Sequence, residues 1–166
     1  MTETAPQRRR RQSPTAQELR IWRDFIETTE ALRSELASRL QSESSLSTGD
    51  YAVLLALSEA PERQLRSSDL ATSIGWERSR LSHHLGRMER RGLIRREECA
   101  TDNRGAVVVL SPTGADSFRS ASVPHLRAIR ELFIDALTPE QLVAASEVTG
   151  ALRAHLESTG ADEHDR

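Results

Sequence analysis

The segment that decides the fold is residues 65–105, which read LRSSDLATSIGWERSRLSHHLGRMERRGLIRREECATDNRG. Gly75 separates two helix-forming stretches, and Gly92 ends the second of them. Residues 93–99 and 106–110 favour extended chain, and the Asp, Asn and Gly between them favour a turn. The segment therefore predicts two short helices joined by a tight turn, a helix-turn-helix, followed by a β-hairpin.

The second helix of this segment, predicted to end at Arg91, has two chemically different sides. At about 100° per residue, Leu81, Leu85 and Met88 form one apolar stripe that faces the core. The opposite side carries small hydrogen-bonding residues, a histidine and arginines, namely Ser79, Arg80, Ser82, His83, Gly86 and Arg87. Small residues allow close approach to a groove, and Arg, Ser and His bond base edges or phosphates. A solvated helix face is the alternative, but the position between a helical turn and a hairpin favours contact with DNA.

Upstream of this segment, the sequence predicts two helices and a short strand. Apolar residues recur every three or four positions from 15 to 40, which is typical of one long amphipathic helix. Ser47 or Thr48 caps the next helix, and Asp50 lies near its positive end. Residues 65–66 favour a brief strand before the helix-turn-helix.

Downstream of the hairpin, two further helices are predicted. Ser111 and Pro112 provide a cap and a first-turn proline for a helix to about Leu137, with Pro124 as a kink inside it. Residues 138–141, Thr-Pro-Glu-Gln, form a capping box that opens a last helix. Long helices therefore flank the central segment on both sides.

The charge of the chain is nearly balanced overall but uneven along its length. All 23 basic residues are arginine, against 25 acidic residues, for a formal net charge of −2. Residues 63–104 carry ten arginines and six acidic residues, whereas residues 131–166 carry two arginines and eight acidic residues. Phosphate attraction requires only a local positive surface. The basic centre therefore suits a DNA reader with a separate acidic scaffold.

Several protein classes do not fit this sequence. No stretch approaches the roughly 18 to 20 apolar residues of a membrane span, and no leader follows the N-terminal charges, so we expect a protein that is neither inserted nor exported. The single cysteine, Cys99, cannot form an internal disulfide, which fits the cytoplasm. Nucleophile, phosphate-loop and paired-carboxylate signatures are missing from the sequence, which predicts no enzyme and no cofactor. The adjacent His83 and His84 point about 100° apart, so no metal site is expected.

Residues 65–105 resemble the winged helix-turn-helix core of the MarR family of bacterial transcription regulators. The resemblance rests on LRSSDLA, GWERSRLSHHLGRMERRGLI and DNRG, and its most specific part is Asp102-x-Arg104-Gly105 after the Arg-Gly-Leu that follows the second helix. It extends over about residues 17–157, because the family has one helix before this core and two long helices after it. It implies a homodimer whose outer helices interlock.

The resemblance also implies roles for individual residues. The second helix enters the major groove, and the residues matched to DNA contacts there are Arg78, Ser79, Arg80, Ser82, His83 and Arg87. Arg104 in the wing reaches the minor groove, with Asp102 positioning it. The physics agrees, because an arginine is attracted to the negative potential of a narrow minor groove and a carboxylate can hold it there.

MarR relatives often bind small aromatic or phenolic ligands between the dimerisation helices and the winged core. The residues that would line such a pocket are Trp22, Phe25 and Tyr51, with His125 or Arg127 as a polar anchor. Packing in the core or in a dimer interface explains the three aromatic residues as well. Both interpretations stay open at this point.

These observations predict a mainly α-helical protein with a small β-hairpin wing. The predicted organisation is a disordered basic arm at 1–14, one domain at 15–157 and a polar tail at 158–166, with the DNA-binding core at 47–110 and dimerisation helices at 15–42 and 111–157. The predicted function is a cytoplasmic homodimeric repressor of a pseudo-palindromic operator, released by a small aromatic ligand. The alternative is a winged-helix module that docks proteins without reading DNA.

Overall fold

The computed structural model describes residues 13–98 and 106–164. The chain divides into two compact units after Glu35. The helices are α1 (Ala16–Ser44), α2 (Thr48–Glu59), α3 (Ser67–Ser73), α4 (Arg78–Arg90), α5 (Pro112–Ile129) and α6 (Pro139–His164), and the strands are β1 (Gln64–Arg66), β2 (Ile94–Glu98) and β3 (Ala106–Leu110). The mainly helical fold with a small hairpin is confirmed.

The three strands form one antiparallel sheet in the order β1-β3-β2. β2 and β3 are the predicted hairpin, with Ile94 opposite Leu110 and Glu98 opposite Ala106. The brief strand predicted at 65–66 is β1, which pairs with the other edge of β3. Ser67 donates a hydrogen bond from Oγ to the carbonyl of Ala106, 2.9 Å away, so the start of α3 is also attached to the sheet.

The turns and helix caps follow from the residue types that occupy them. Gly75 and Gly92 have φ angles of 65° and 72°, which residues other than glycine rarely adopt. Ser47 accepts a hydrogen bond from the backbone of Asp50 and caps α2, as predicted. Ser111 caps α5 with its hydroxyl, and Pro112 occupies the first turn. The capping box expected at residues 138–141 is present at the start of α6.

The core lies between α2, α3, α4 and the sheet. The side chains with the least exposure come from all of these elements and include Val53, Leu54, Leu57, Leu70, Leu81, Leu85, Met88, Ile94 and Val108. The apolar stripe predicted for α4 is therefore the buried side of that helix, and its opposite side is left facing outward. This arrangement sets the orientation of the candidate DNA-binding residues.

The outer helices differ from the sequence prediction at their ends. α5 continues through Pro124 and is followed by a π-helical turn at Arg130–Ile134, instead of ending near Leu137. α6 runs to His164, into the segment expected to be a polar tail, because that segment has no proline and the one glycine, Gly160, weakens a helix without ending it. Within the described ranges, no helix is both long and apolar enough to cross a membrane.

Candidate nucleic-acid interface

The outward side of α4 carries every residue that the sequence assigned to the major groove. Each of these six side chains is exposed, namely Arg78, Ser79, Arg80, Ser82, His83 and Arg87. The helix wheel predicted this exposure, because Leu81, Leu85 and Met88 are almost fully buried on the other side. The surface is polar and cationic, with two small hydroxyl residues that leave the backbone approachable. Contact of these residues with DNA stays a prediction.

Arg80 is held against a tryptophan ring. Its guanidinium carbon lies 4.2 Å from the centroid of the Trp76 ring, at the distance of a cation–π contact. Trp76 is half-buried and comes two residues before α4 begins. This pair is not evident from the sequence, because Trp76 lies before α4 and the i,i+4 rule applies only within a helix.

His84 is a buried polar residue on the inner side of α4. Its Nδ1 is hydrogen-bonded to Nη2 of Arg87 at 2.8 Å, whereas its Nε2 lies 3.0 Å from Oδ1 of Asp50 without hydrogen-bond geometry. A guanidinium only donates hydrogen bonds, so Nδ1 accepts this one and the proton of the neutral ring is on Nε2, toward the carboxylate. Burial lowers the pKa of His84 below its ordinary value; the charge of Asp50 opposes this and that of Arg87 adds to it. His84 is therefore held as a neutral acceptor for Arg87.

Asp50 connects α2 to His84 in α4 and to Arg91 at the C-terminal end of α4. Its Oδ2 accepts hydrogen bonds from Nη1 of Arg91 at 2.7 Å and from the backbone N–H of Ser47 at 3.0 Å. Arg91 also donates to the carbonyl of Ser45 at 2.9 Å. Burial opposes ionisation of Asp50, but the hydrogen bonds from Arg91 and Ser47 outweigh it and lower the pKa of the carboxyl. The sequence predicted Asp50 only as a helix-terminus charge and missed its role beneath α4.

The wing is anchored to α4 at its base. Arg96 in β2 donates from Nε and Nη2 to one carboxylate oxygen of Glu89, at 2.8 and 2.6 Å, and its backbone N–H donates to the other at 3.0 Å. These bonds from Arg96 lower the pKa of Glu89. The tip of the wing, with Asp102 and Arg104, lies outside the described residues, as does Cys99. The predicted minor-groove contact is therefore not described by the structure.

Among the residues predicted to line a ligand pocket, Tyr51 and His125 lie close together. The rings of Tyr51 and His125 lie 4.6 Å apart between centroids. Trp22 and Phe25 lie in the first unit, with 61% and 42% of their surface exposed. The exposed Arg127 is two positions along α5 from His125, about 200° round the helix, so the helix directs it away from Tyr51.

Tyr51 contacts Phe118, Ser122 and His125, and these four residues are called the Tyr51 cluster. The cluster contains a buried polar atom without a described partner. The Tyr51 hydroxyl lies 3.2 Å from Oγ of Ser122, and the Tyr51 ring lies 5.1 Å from that of Phe118. The buried Nδ1 of His125 has no hydrogen-bond partner among the described residues. Burial lowers the pKa of His125. The cluster is thus a mostly apolar environment with a neutral imidazole that has a free bonding position.

In residues 13–98 and 106–164, no group of three or more His, Cys, Asp or Glu side chains is placed to hold a metal ion. An apolar groove lies between α2, α3 and β1, lined in part by Leu55, Leu65 and Ile74. This groove was not predicted from the sequence.

Comparisons with known proteins agree on one family. Residues 44–105 match the family model described as MarR family. The transcriptional regulator HosA of Escherichia coli O157:H7 is 33% identical over 97 residues, which cover 58% of this chain and 69% of HosA.

Two solved structures from Streptomyces coelicolor are similar over most of their length. AbsC, a MarR family transcriptional regulator, is 36% identical with a TM-score of 0.82, covering 89% of this chain and 99% of AbsC. Sco3205, a MarR family transcriptional regulator solved in complex with DNA, is 35% identical with a TM-score of 0.82, covering 88% of this chain and 92% of Sco3205. The chain belongs to the MarR family of transcriptional regulators.

Proposed function

We propose that this protein is a homodimeric repressor that binds a pseudo-palindromic DNA operator through the outward side of α4. The observation that carries the proposal is the separation of α4 into a buried apolar stripe and an exposed side of Arg, Ser and His residues. The similarity to Sco3205, which was solved in complex with DNA, supports DNA binding by this chain. Such a regulator acts beside the chromosome in the cytoplasm and needs no catalytic activity.

Different residues of this surface are proposed to contact different parts of the DNA, according to their side-chain chemistry. Ser79, Ser82 and His83 are short enough for α4 to enter the major groove and for their polar atoms to reach base edges. Arg78, on the same surface, carries a long cationic side chain that suits phosphate contacts. Arg104, positioned by Asp102, is proposed for the adjacent minor groove on the strength of the family resemblance.

The proposed homodimer accounts for the exposed apolar residues of the outer helices. None of the α6 side chains from Pro139 to Thr159 is buried, although Val148, Leu152 and Leu156 lie on that helix. In the first unit, Trp22 is likewise exposed on α1. A long helix with no buried side rarely stays exposed in a soluble protein, and a second copy of the chain is the simplest partner. Sedimentation should show a dimer at micromolar concentration, and Leu152→Asp should shift it toward monomer.

We also propose that a small aromatic or phenolic molecule releases the repressor from DNA. The support is the Tyr51 cluster, where rings provide an apolar contact surface and His125 offers a free ring nitrogen. Benzoate, 4-hydroxybenzoate and phenol are suitable probes. At least one should lower DNA affinity in the normal protein and act more weakly on His125→Ala. The absence of any effect at millimolar concentration would contradict this part of the proposal.

Salt dependence tests the DNA-binding proposal against the protein-docking alternative. Genomic fragments recovered with the protein provide the duplex, and a scrambled duplex of the same composition is the control. A dimer that contacts about 6 to 10 phosphates should lose about 10³- to 10⁵-fold in affinity between 50 and 200 mM salt. No preference for the recovered fragment, together with a weak salt dependence, would favour a docking module.

A further inference from the structure

Two rings beneath the outward side of α4 contact each other and α2. The rings of Trp76 and His84 lie 5.1 Å apart between centroids at an angle of 89°, which is an edge-to-face contact. A Cβ atom on Gly49, in the first turn of α2, would lie 2.7 Å from Cη2 of Trp76 and 2.9 Å from Cε1 of His84. The two rings therefore occupy the space that any side chain at position 49 would need. They form a pair that is packed directly against the backbone of α2.

Each ring of this pair holds one arginine of α4. The guanidinium of Arg80 lies over Trp76, with its carbon 4.2 Å from the ring centroid. Arg87 donates a hydrogen bond from Nη2 to Nδ1 of His84 at 2.8 Å. The two arginines are seven positions apart, so they lie about 20° apart round the helix and about 10 Å apart along it. The ring pair thus fixes two cations along one strip of the exposed side.

An arginine that is already held in place reduces the conformational entropy lost on DNA binding. A free arginine loses rotamer freedom when it binds a phosphate or a base, and a side chain already fixed before binding loses less. A guanidinium that stacks on a ring keeps its N–H edge available, and the Arg87 contact uses one of five donors. Both arginines therefore remain able to bond DNA while they contact the rings.

We infer that Trp76 and His84 are positioning residues for DNA binding, which preorganise Arg80 and Arg87 on the surface of α4. This inference rests on the proposed function, because it assigns a role to residues that do not themselves contact DNA. It also gives Gly49 a function, since only glycine leaves room for both rings.

A double-mutant cycle on Trp76 and Arg80 tests the inference. Loss of the cation–π contact in Trp76→Leu should weaken binding to the recovered operator about 2- to 5-fold. In an Arg80→Ala background the same change should have almost no effect, because the arginine that the ring positions is gone. Arg78→Ala is the matched control, since Arg78 is exposed two residues away and the described contacts include none with Trp76. In that background Trp76→Leu should keep its full effect.

A spectroscopic measurement separates positioning from general damage to the fold. The chain has two tryptophans, so Trp22→Phe leaves Trp76 as the only indole reporter. Arg80→Ala should shift the Trp76 emission of the free protein, whereas Arg78→Ala should not. Gly49→Ala should move the rings, shift the same emission and weaken operator binding. If Trp76→Leu does not fold, Trp76→Phe keeps a ring at the site and should show a smaller effect that again depends on Arg80.

The outcomes separate failure of this inference from failure of the proposed function. Equal losses from the Trp76 substitution in the presence and absence of Arg80 would overturn the positioning role and leave DNA binding intact. Unchanged Trp76 emission in Arg80→Ala would overturn it as well. If the normal protein shows no preference for any recovered duplex, the proposed function fails first, and the emission measurement still decides whether the ring holds the arginine.

Discussion

Replacing Asp50 with Asn should lower the free energy of unfolding more than the loss of an exposed ion pair would. The Asp50 side chain is only 4% exposed, and its two carboxylate oxygens have different neighbours. Oδ1 lies 3.0 Å from Nε2 of His84 without hydrogen-bond geometry, and Oδ2 accepts hydrogen bonds from Arg91 and the Ser47 backbone. An amide has one oxygen, so its NH₂ group must face a donor on one side. Asn still caps α2 well, so the loss falls on the contacts with α4 and Arg91.

The expected magnitude follows from the burial of the partners. Removing one member of a buried ion pair costs about 3 to 5 kcal/mol, and a hydrogen bond to a charged group contributes about 1.5 to 3 kcal/mol. Arg91 is 43% exposed and stays hydrated after the substitution, which places the cost at the lower end. We therefore expect Asp50→Asn to lower the free energy of unfolding by about 2 to 3 kcal/mol.

Urea denaturation at pH 7 and fixed protein concentration measures this difference. The matched control is Glu97→Gln, because Glu97 pairs with Arg95 at 3.0 Å and the two side chains are 53% and 62% exposed. Such exposed pairs contribute about 0 to 1 kcal/mol. If Asp50→Asn and Glu97→Gln have the same denaturation midpoint, the buried carboxylate does not hold α2 to α4.

Two further predictions concern stability. A Cβ on Gly114 would clash with the carbonyl oxygen of Leu93, so Gly114→Ala should lower the free energy of unfolding in urea by about 1 to 3 kcal/mol. The control Gly150→Ala should be neutral or stabilising, because no described atom lies within 4 Å of the added Cβ. Because the folded pKa of His84 is below 6.5, the unfolded chain binds a proton first, and stability should fall as the pH drops below about 6.5 until the folded pKa is reached. His84→Gln should flatten this pH dependence and His83→Gln should not; equal slopes would contradict the burial argument.

Local features of this fold were predictable from sequence because they depend on neighbouring residues. The apolar stripe of α4 follows from helical spacing, and the cap at Ser47 and the turn at Gly75 follow from residue type. The buried polar arrangement was not predictable, since Asp50 and Arg91 are 41 positions apart and no spacing rule joins them.

The candidate ligand residues show the same limit. The aromatic residues Trp22 and Tyr51 were predicted to line one ligand pocket. The sequence alone does not tell which other residues each ring contacts. Tyr51 contacts His125 through the packing of α2 on α5, a tertiary contact. Trp22 is exposed on α1, where only the proposed homodimer would cover it. Long-range packing therefore decides which rings lie together, and helical periodicity does not.

Binding-site selection on the normal protein, His83→Ala and Arg104→Ala tests most directly whether this surface reads DNA. The normal protein should select a pseudo-palindrome with half-site centres about 10 base pairs apart. His83→Ala should relax one or two positions in each half-site, at about 1 to 3 kcal/mol for a direct base contact. Arg104→Ala should weaken all sites and relax mainly the flanking A·T positions. Unchanged affinity and sequence preference in both variants would contradict the proposal that α4 and the wing read DNA.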